Sequence, residues 1–294
     1  MPELPEVETV RRGLNDLIVG RVLKSAHHIE SPKSLQANQG DISNFLVDAT
    51  VKSVRRRAKV LMLDFSSQYT LVIHLKMTGQ LVFVDENQRF GAGHPNDSLV
   101  SQLPDRSTRA VLEFNDSSNL FFNDQRKFGW IKLLPTIEVE NIDFMKKVGP
   151  EPLEDDFTSQ ILWDNLQRRK NTTIKAAILD QTVLAGVGNI YVDEGLWGAQ
   201  IHPATKTKDV TKEQIEKLWY ELRSVMTLSI EKGGSTDRNY VDAEGKRGSY
   251  LDFARVFRRE GLPCLRHPDV LIEKTRVAGR GTHICPVCQT PPTT

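Results

Sequence analysis

Hydrophobic and polar positions change their period twice along the chain. Over residues 3–19, Leu4, Val7, Val10, Leu14 and Leu17 recur at helical spacing with Gly20 behind them, which predicts an amphipathic helix and a glycine stop. From about residue 20 to 135 the pattern shortens to β-like runs at Val51–Val54, Val60–Phe65, Thr70–Leu75, Gln80–Val84, Ala110–Phe114, Leu120–Phe122 and Trp130–Leu134. Many short strands behind one helix predict a sandwich or barrel. Residues 85–107, rich in Asn, Asp, Gly and Pro, read as a long mobile loop. Beyond the turn residues Gly149-Pro150-Glu151-Pro152 the period becomes helical, with segments at Phe157–Gln167, Thr173–Leu179 and Asn189–Ala199, the last opening on Asn189 as N-cap. Thr211 and Gln214 form a capping box for a long helix that stops at Gly233-Gly234. The last forty or so residues return to β-like pieces. The reading is a multidomain α+β chain: a helix plus β-sandwich over 1–135, a linker over 136–152, a helical domain over 153–252 and a hairpin region over 253–294.

Composition narrows the class. Apolar residues make up 39% and charged residues 26% of 294, which excludes wholesale disorder, a collagen-like fibre and a simple coiled coil. No apolar run approaches the ~18 residues of a membrane span. The opening Met1-Pro2-Glu3-Leu4-Pro5-Glu6 carries acids where a signal peptide carries basic charge, so a cytoplasmic protein is expected. The net charge of +1 decides nothing about partners, but its distribution is uneven. Arg55-Arg56-Arg57 with Lys59, Arg168-Arg169-Lys170, and Arg255 with Arg258-Arg259 stand against an acidic stretch over 136–160. Any one basic cluster reads as a solvated face; three of them beside a metal-like tail point to nucleic acid.

That tail holds all three cysteines. Cys264-x2-His267, then 17 residues, then Cys285-x2-Cys288 offers two close pairs of soft or borderline ligands, the arrangement of a tetrahedral structural zinc site. Proline beside each pair, Pro263 and Pro286, suits tight ligand-bearing turns, and Asp269 and His283 stand by as alternative ligands. Zinc ribbons serve many functions, so the tail alone defines none. At the other end, removal of Met1 leaves Pro2 as a secondary amine. An α-amine titrates near ~7.7–8.0, so a useful fraction is neutral near pH 7 and able to attack an aldehyde-like carbon, with Glu3 beside it as proton carrier. Taken alone, Pro2 is merely a helix-starting residue.

It does not stand alone. Pro2-Glu3-Leu4-Pro5-Glu6-Val7-Glu8-Thr9-Val10-Arg11-Arg12-Gly13-Leu14 resembles the opening of bacterial formamidopyrimidine-DNA glycosylases. Five further segments resemble the same family in the same order. They are Arg57-Ala58-Lys59, His74-Leu75-Lys76-Met77-Thr78-Gly79, Asp124-Gln125-Arg126-Lys127-Phe128-Gly129, Leu184 to Tyr191, and Arg280-Gly281-Thr282 ahead of Cys285-x2-Cys288. The resemblance spans residues 2–289. The sister endonuclease VIII type, which acts on oxidised pyrimidines, usually has Gly at the position of Leu4 and lacks the Met77/Arg126/Phe128 set.

What the resemblance implies is a monomeric glycosylase and abasic-site lyase that removes oxidised purines from duplex DNA in base excision repair, with one structural zinc and no redox or nucleotide cofactor. The 153–252 region becomes a helix–two-turns–helix DNA-binding domain with a lesion-capping loop at 233–249, and the tail a zinc hairpin. Pro2 attacks the sugar, Glu3 moves protons, and Lys59, Asn189 and Arg280 hold phosphates. Met77, Arg126 and Phe128 fill the gap left by the flipped nucleotide. His74, Arg169 and Tyr240 join the DNA contacts, and Glu6 and Glu194 stand near Pro2. Cys264, His267, Cys285 and Cys288 hold the zinc. Three departures from the family pattern stand out: His267 in place of a cysteine with one residue more between the pairs, Ser107-Thr108-Arg109 where a His-containing stretch is common, and an expanded 85–107 segment. The rival class is a non-catalytic zinc-bearing DNA-binding protein, which would need none of Pro2, Glu3 and Lys59.

Overall fold

The computed structural model describes residues 1–94, 96–235 and 250–292. Two compact units are present, Met1–Lys146 with Lys232–Ser249, and Lys147–Glu231 with Tyr250–Thr294.

The first unit opens with α1 (Leu4–Ile18), which buries Leu4, Val7, Val10, Leu14 and Ile18 along one stripe. Ten strands follow: β1 (Leu23–His28), β2 (Leu35–Gln36), β3 (Val51–Arg57), β4 (Val60–Phe65), β5 (Tyr69–His74), β6 (Gly79–Val84), β7 (Arg89–Gly93), β8 (Thr108–Phe114), β9 (Asn119–Asp124) and β10 (Trp130–Pro135), with the short α2 (Gln39–Phe45) between β2 and β3. They form two five-stranded sheets, ordered β1-β8-β9-β6-β7 and β2-β10-β5-β4-β3. Period-two alternation sorts their faces. Leu61, Leu63, Leu81, Phe83, Leu120 and Phe122 join the stripe of α1 in one core, while Met62 and Phe121 turn outward into smaller clusters. The stretch read as a linker carries a 3-10 turn (Thr136–Asn141) and α3 (Asp143–Lys147), and Val139 is buried against Val60, Met62 and Val72.

The 85–107 segment is not one long loop. It contains β7, paired antiparallel with β6, and a 3-10 turn at Asp97–Leu99 with Leu99 buried. Its glycines masked a real alternation: Phe90 and Ala92 face the core. The Phe90 ring lies on Gly13 of α1, where a Cβ would come within 2.2 Å of it, so the strand seats itself through a glycine on the helix.

In the second unit, α4 (Ser159–Gln167) and α5 (Ile174–Leu179) begin at the side-chain caps Thr158 and Thr173. Helix α6 (Asn189–Ala199) is buried from Tyr191 to Ala199, which makes it the central helix of this unit. Helix α7 (Lys212–Glu231) carries the expected box: Gln214 N–H donates to Thr211 Oγ1 at 3.2 Å and Thr211 N–H to Gln214 Oε1 at 2.9 Å. Gly195 of α6 admits Leu222 of α7, which a Cβ there would meet at 2.6 Å. The unit ends in a hairpin, β11 (Glu273–Val277) and β12 (Arg280–Ile284).

Candidate functional site

Met1 is exposed, and the residues behind it are not. Pro2 and Glu3 are both enclosed, and Glu3 is the N-cap of α1. Glu3 N–H donates to Glu6 Oε2 at 2.8 Å, and the other carboxylate oxygen of Glu6 accepts the Ser235 N–H at 2.9 Å. Burial pushes the α-amine of Met1 below its usual value, Glu3 and Glu6 oppose the shift, and Lys59 adds to it. Lys59 therefore stands within electrostatic reach of the amine. It follows a turn at Ala58 (φ 52°) between β3 and β4 and is only 5% exposed. With Met1 removed, the enclosed Pro2 would present a secondary amine in this corner beside the buried side chains of Glu3 and Lys59, a set able to support nucleophilic attack on a sugar carbon.

Next to this corner two loops carry the expected gap-filling side chains. Residues 75–78 join β5 to β6 and present half-buried Met77; residues 125–129 join β9 to β10 and present Arg126 and Phe128. Phe128 is 54% exposed, which removes it from the core, and the Arg126 guanidinium lies over its ring at 4.9 Å. His74 ends β5, opposite Val60 on one side and Trp130 on the other. Its Nδ1 accepts the Lys76 N–H at 3.0 Å, so the neutral ring carries its proton on Nε2. Burial pushes its pKa down from 6.5 to about 3, helped by Lys76 and Lys59. At neutral pH His74 thus presents a hydrogen-bond donor on Nε2 and no charge.

That shift predicts a pH dependence. Between pH 6.5 and about 3 the unfolded chain binds a proton that the folded ring refuses, so His74 lowers stability as pH falls through that window. Each unit is worth about 1.4 kcal/mol. From pH 6.5 to 5, the native protein should lose about 2 kcal/mol more than His74→Gln in urea unfolding; parallel losses would mean that the folded ring is protonated.

In the second unit Asn189 is the first residue of α6, and Gly188 takes the N-cap position expected for it. The Asn189 Nδ2 donates to the Gly281 carbonyl at 3.0 Å, and its Oδ1 is buried with no hydrogen-bond partner among the described residues. Arg280 is exposed where β12 leaves the Ala278–Gly279 turn, and no described acid pairs with it. Beneath the strand lies a buried ion pair that the sequence pattern does not announce. Lys175, with no exposed surface, donates to Asp193 Oδ1 at 2.6 Å, to Thr282 Oγ1 at 2.8 Å and to the Gly281 carbonyl at 3.2 Å. The other oxygen of Asp193 accepts the His283 N–H at 3.0 Å. The chain after Arg280 is therefore fastened to α5 and α6 at three successive residues, through the Gly281 carbonyl, the Thr282 hydroxyl and the His283 N–H. Glu194, expected near Pro2, is engaged within the second unit. It accepts the N–H groups of Arg255, Val256 and Phe257 at 2.8–3.1 Å and fixes the entry to the metal module.

The basic clusters are less available than their sequence implied. Arg55 pairs with Asp64, Arg56 with Glu8, Arg169 with Asp180, and Arg255 with Glu194 and Glu221. Tyr240 lies outside the described residues.

The four metal-ligand candidates converge, their ligand atoms all within 4.8 Å of one another. Cys264 Sγ and Cys288 Sγ are 3.7 Å apart, which matches the edge of about 3.8 Å that a tetrahedron with ~2.3 Å zinc–sulfur bonds requires. His267 turns Nδ1 inward, 3.2 Å from Cys288 Sγ and 4.0 Å from Cys285 Sγ. Nδ1 is the ring nitrogen nearer the backbone, which is how a histidine fits where a shorter cysteine would serve. The alternative His283 is engaged elsewhere, its Nε2 lying 3.2 Å from Glu260. The donor set fits one structural zinc, closed to further ligands.

Comparison with known proteins agrees with this geometry. Models of the formamidopyrimidine-DNA glycosylase N-terminal domain, of its H2TH domain, and of the zinc finger found in FPG and IleRS match residues 1–131, 148–240 and 270–291. The formamidopyrimidine-DNA glycosylase of Chloroflexus aurantiacus is 39% identical over 289 residues, covering 98% of each chain. That of Herpetosiphon aurantiacus is 40% identical over 292, covering 98% of this chain and all of its own. Among solved structures, a Lactococcus lactis enzyme mutant with Fapy-dG-containing DNA superposes with a TM-score of 0.85 at 33% identity, covering 99% of this chain and 100% of its own. The Lactococcus lactis enzyme with abasic-site DNA gives 0.85 and 33%, covering 98% and 100%. The chain belongs to the formamidopyrimidine-DNA glycosylase family. It is a DNA-repair enzyme, and base removal with abasic-site lyase activity is the activity of that family.

Proposed function

We propose that the chain excises oxidised purines, 8-oxoguanine and formamidopyrimidines, from duplex DNA through a Schiff base on Pro2. The observation that carries this reading is the enclosed start of α1, where Glu3, Glu6 and Lys59 gather about the chain terminus next to buried Pro2. The target nucleotide is turned out of the stack, since its glycosidic bond is out of reach inside it. With Met1 removed, the Pro2 nitrogen attacks C1′ as the bond to the base breaks and the base leaves with a proton. Glu3 protonates the sugar ring oxygen, the ring opens, and an iminium forms. The iminium acidifies the neighbouring C–H; loss of that proton expels the 3′ phosphate, a second elimination expels the 5′ phosphate, and hydrolysis of the iminium frees Pro2.

Other residues bind. Lys59 holds phosphate beside the reacting sugar. Asn189 and Arg280 take flanking phosphates, aided by the backbone amides at the start of α6. Met77 and Phe128 wedge into the vacated step, and Arg126 donates to the orphaned cytosine. His74 contributes its Nε2 proton, Arg169 a partly neutralised cation, and Tyr240 belongs to the loop over the lesion. Bound to chromosomal DNA, the enzyme works at the nucleoid.

Borohydride reduction during turnover traps the iminium as a stable amine. A covalent adduct with an 8-oxoguanine·cytosine duplex, forming faster than with a duplex carrying an oxidised pyrimidine, is the expected result. A preference for the pyrimidine would assign the endonuclease VIII-like activity instead, and no adduct with either would exclude the Schiff base.

A further inference from the structure

Asp124 has no exposed surface, and its two carboxylate oxygens are bonded between two loops. It ends β9, directly opposite Gly79 at the start of β6. Its Oδ1 accepts the hydroxyl of Thr78, the residue after Met77. The same Oδ1 accepts the Arg126 N–H at 3.2 Å, and Oδ2 accepts the Gly129 N–H at 2.7 Å. Thr78 Oγ1 in turn accepts the Arg126 N–H at 3.1 Å. The main chain of Asp124 is fixed as well, its N–H on the Ser107 carbonyl and its carbonyl under Arg109 Nε, both at 2.8 Å. Arg109 is itself 4% exposed and braced on the carbonyls of Thr108 and Arg106.

Neither loop is held this way by the sheets alone. Lys76 and Lys127 sit at φ 52° and 59°, conformations that need support, and Phe128 has little packing to place it. A buried carboxylate that accepts a hydroxyl and two N–H groups supplies that support as charge-assisted hydrogen bonds. We propose that Asp124 and Thr78 form a latch that joins the Met77 loop to the Arg126–Phe128 loop, so that the two apolar side chains enter a base step as one rigid wedge and Arg126 is aimed with them. Asp124 and Thr78 are positioning residues, acting on DNA only through the loops they join. The proposal rests on the gap-filling role given to these loops above.

The latch predicts coupling, which a double-mutant cycle reads directly. Single-turnover excision of 8-oxoguanine from duplex is measured for Met77→Ala, Phe128→Ala and the pair, in the native chain and in Thr78→Val. In the native chain the two losses should fail to multiply, falling short by roughly tenfold, because either truncation disables a shared wedge. In Thr78→Val, which keeps the shape and removes the hydroxyl, the losses should multiply, and the preference for cytosine over adenine opposite the lesion should shrink. Thr78→Ser, which restores the hydroxyl, should return both to native behaviour and shows that the effect is not one of folding. Losses that multiply already in the native chain, or coupling that persists in Thr78→Val, overturn the latch. Borohydride trapping on single-stranded abasic DNA, which needs no wedge, is the control. If the native chain fails to trap, the proposed function falls; if it traps while the cycle shows no latch-dependent coupling, only the latch falls.

Discussion

A protein that retains Met1 should bind lesion-bearing duplex and neither trap nor cut it. Retention converts the Pro2 nitrogen into an amide, whose lone pair is delocalised and unable to attack C1′. Everything else proposed to touch DNA remains. Lys59 stays buried in its turn, Arg280 stays exposed on β12, and the 75–78 and 125–129 loops keep their latch. The expected loss of trapping and strand cleavage is on the order of a thousandfold or more, as for removal of any group that forms the covalent intermediate. Binding constants should shift by less than about tenfold, because the wedge and phosphate contacts are spared. Mass spectrometry establishes the state of Met1 in the same sample that is assayed. Undiminished trapping by Met1-retaining protein would move the nucleophile to another amine, either the α-amine of Met1 itself or Lys59, which acts on it electrostatically.

The sequence disclosed what is local. Helix α1 shows in the spacing of Leu4, Val7, Val10 and Leu14, and α7 in the reciprocal bonds of Thr211 and Gln214, because both patterns are written within one or two turns. The four metal ligands were legible because two pairs at short spacing have few other uses. Strand β7 was hidden because Gly91 and Gly93 read as loop, while the partner that justifies it, Gly13, lies some eighty residues earlier. Buried polar residues were the hardest to place. Asp193 and Glu194 sit side by side in an otherwise apolar helix, and Lys175 follows Ile174 in a short helix that also buries Ala177 and Ile178. Such charges signal a buried network, but nothing in the spacing names the partner, because the partners are brought together by tertiary contacts. Asp124 lies within a family-like segment without any local mark of its role, since its value lies in the Thr78 hydroxyl across the sheet.

Replacing the Lys175–Asp193 pair should separate two supports of the metal module that chelation alone would confuse. One support is the metal, whose binding contributes about 10–16 kcal/mol of apparent energy in comparable sites. The other is the fastening of Gly281, Thr282 and His283 to α5 and α6 through Lys175, Asn189 and Asp193. Chelation should therefore expose the amides of Cys264, Val270, Cys285 and Cys288 to hydrogen exchange, since their turns close around the ligands, while the His283 amide on Asp193 stays protected. The converse variant must avoid leaving a bare charge, because breaking one side of a buried pair costs about 3–5 kcal/mol. Lys175→Met with Asp193→Met removes both charges and should fold with its metal bound, since apolar replacement of a buried pair is often neutral or better. It releases the backbone behind Arg280, however. If that backbone aims the guanidinium at a phosphate, the double variant should bind DNA more weakly, and the slope of log affinity against log salt should fall by about 0.9, the value of one lost phosphate contact. Arg280→Ala should then add nothing further in that background. A double variant with one metal per chain and a native salt slope would show that the metal alone positions Arg280. Exchange that opens His283 together with the cysteine turns on chelation would show the same from the other side.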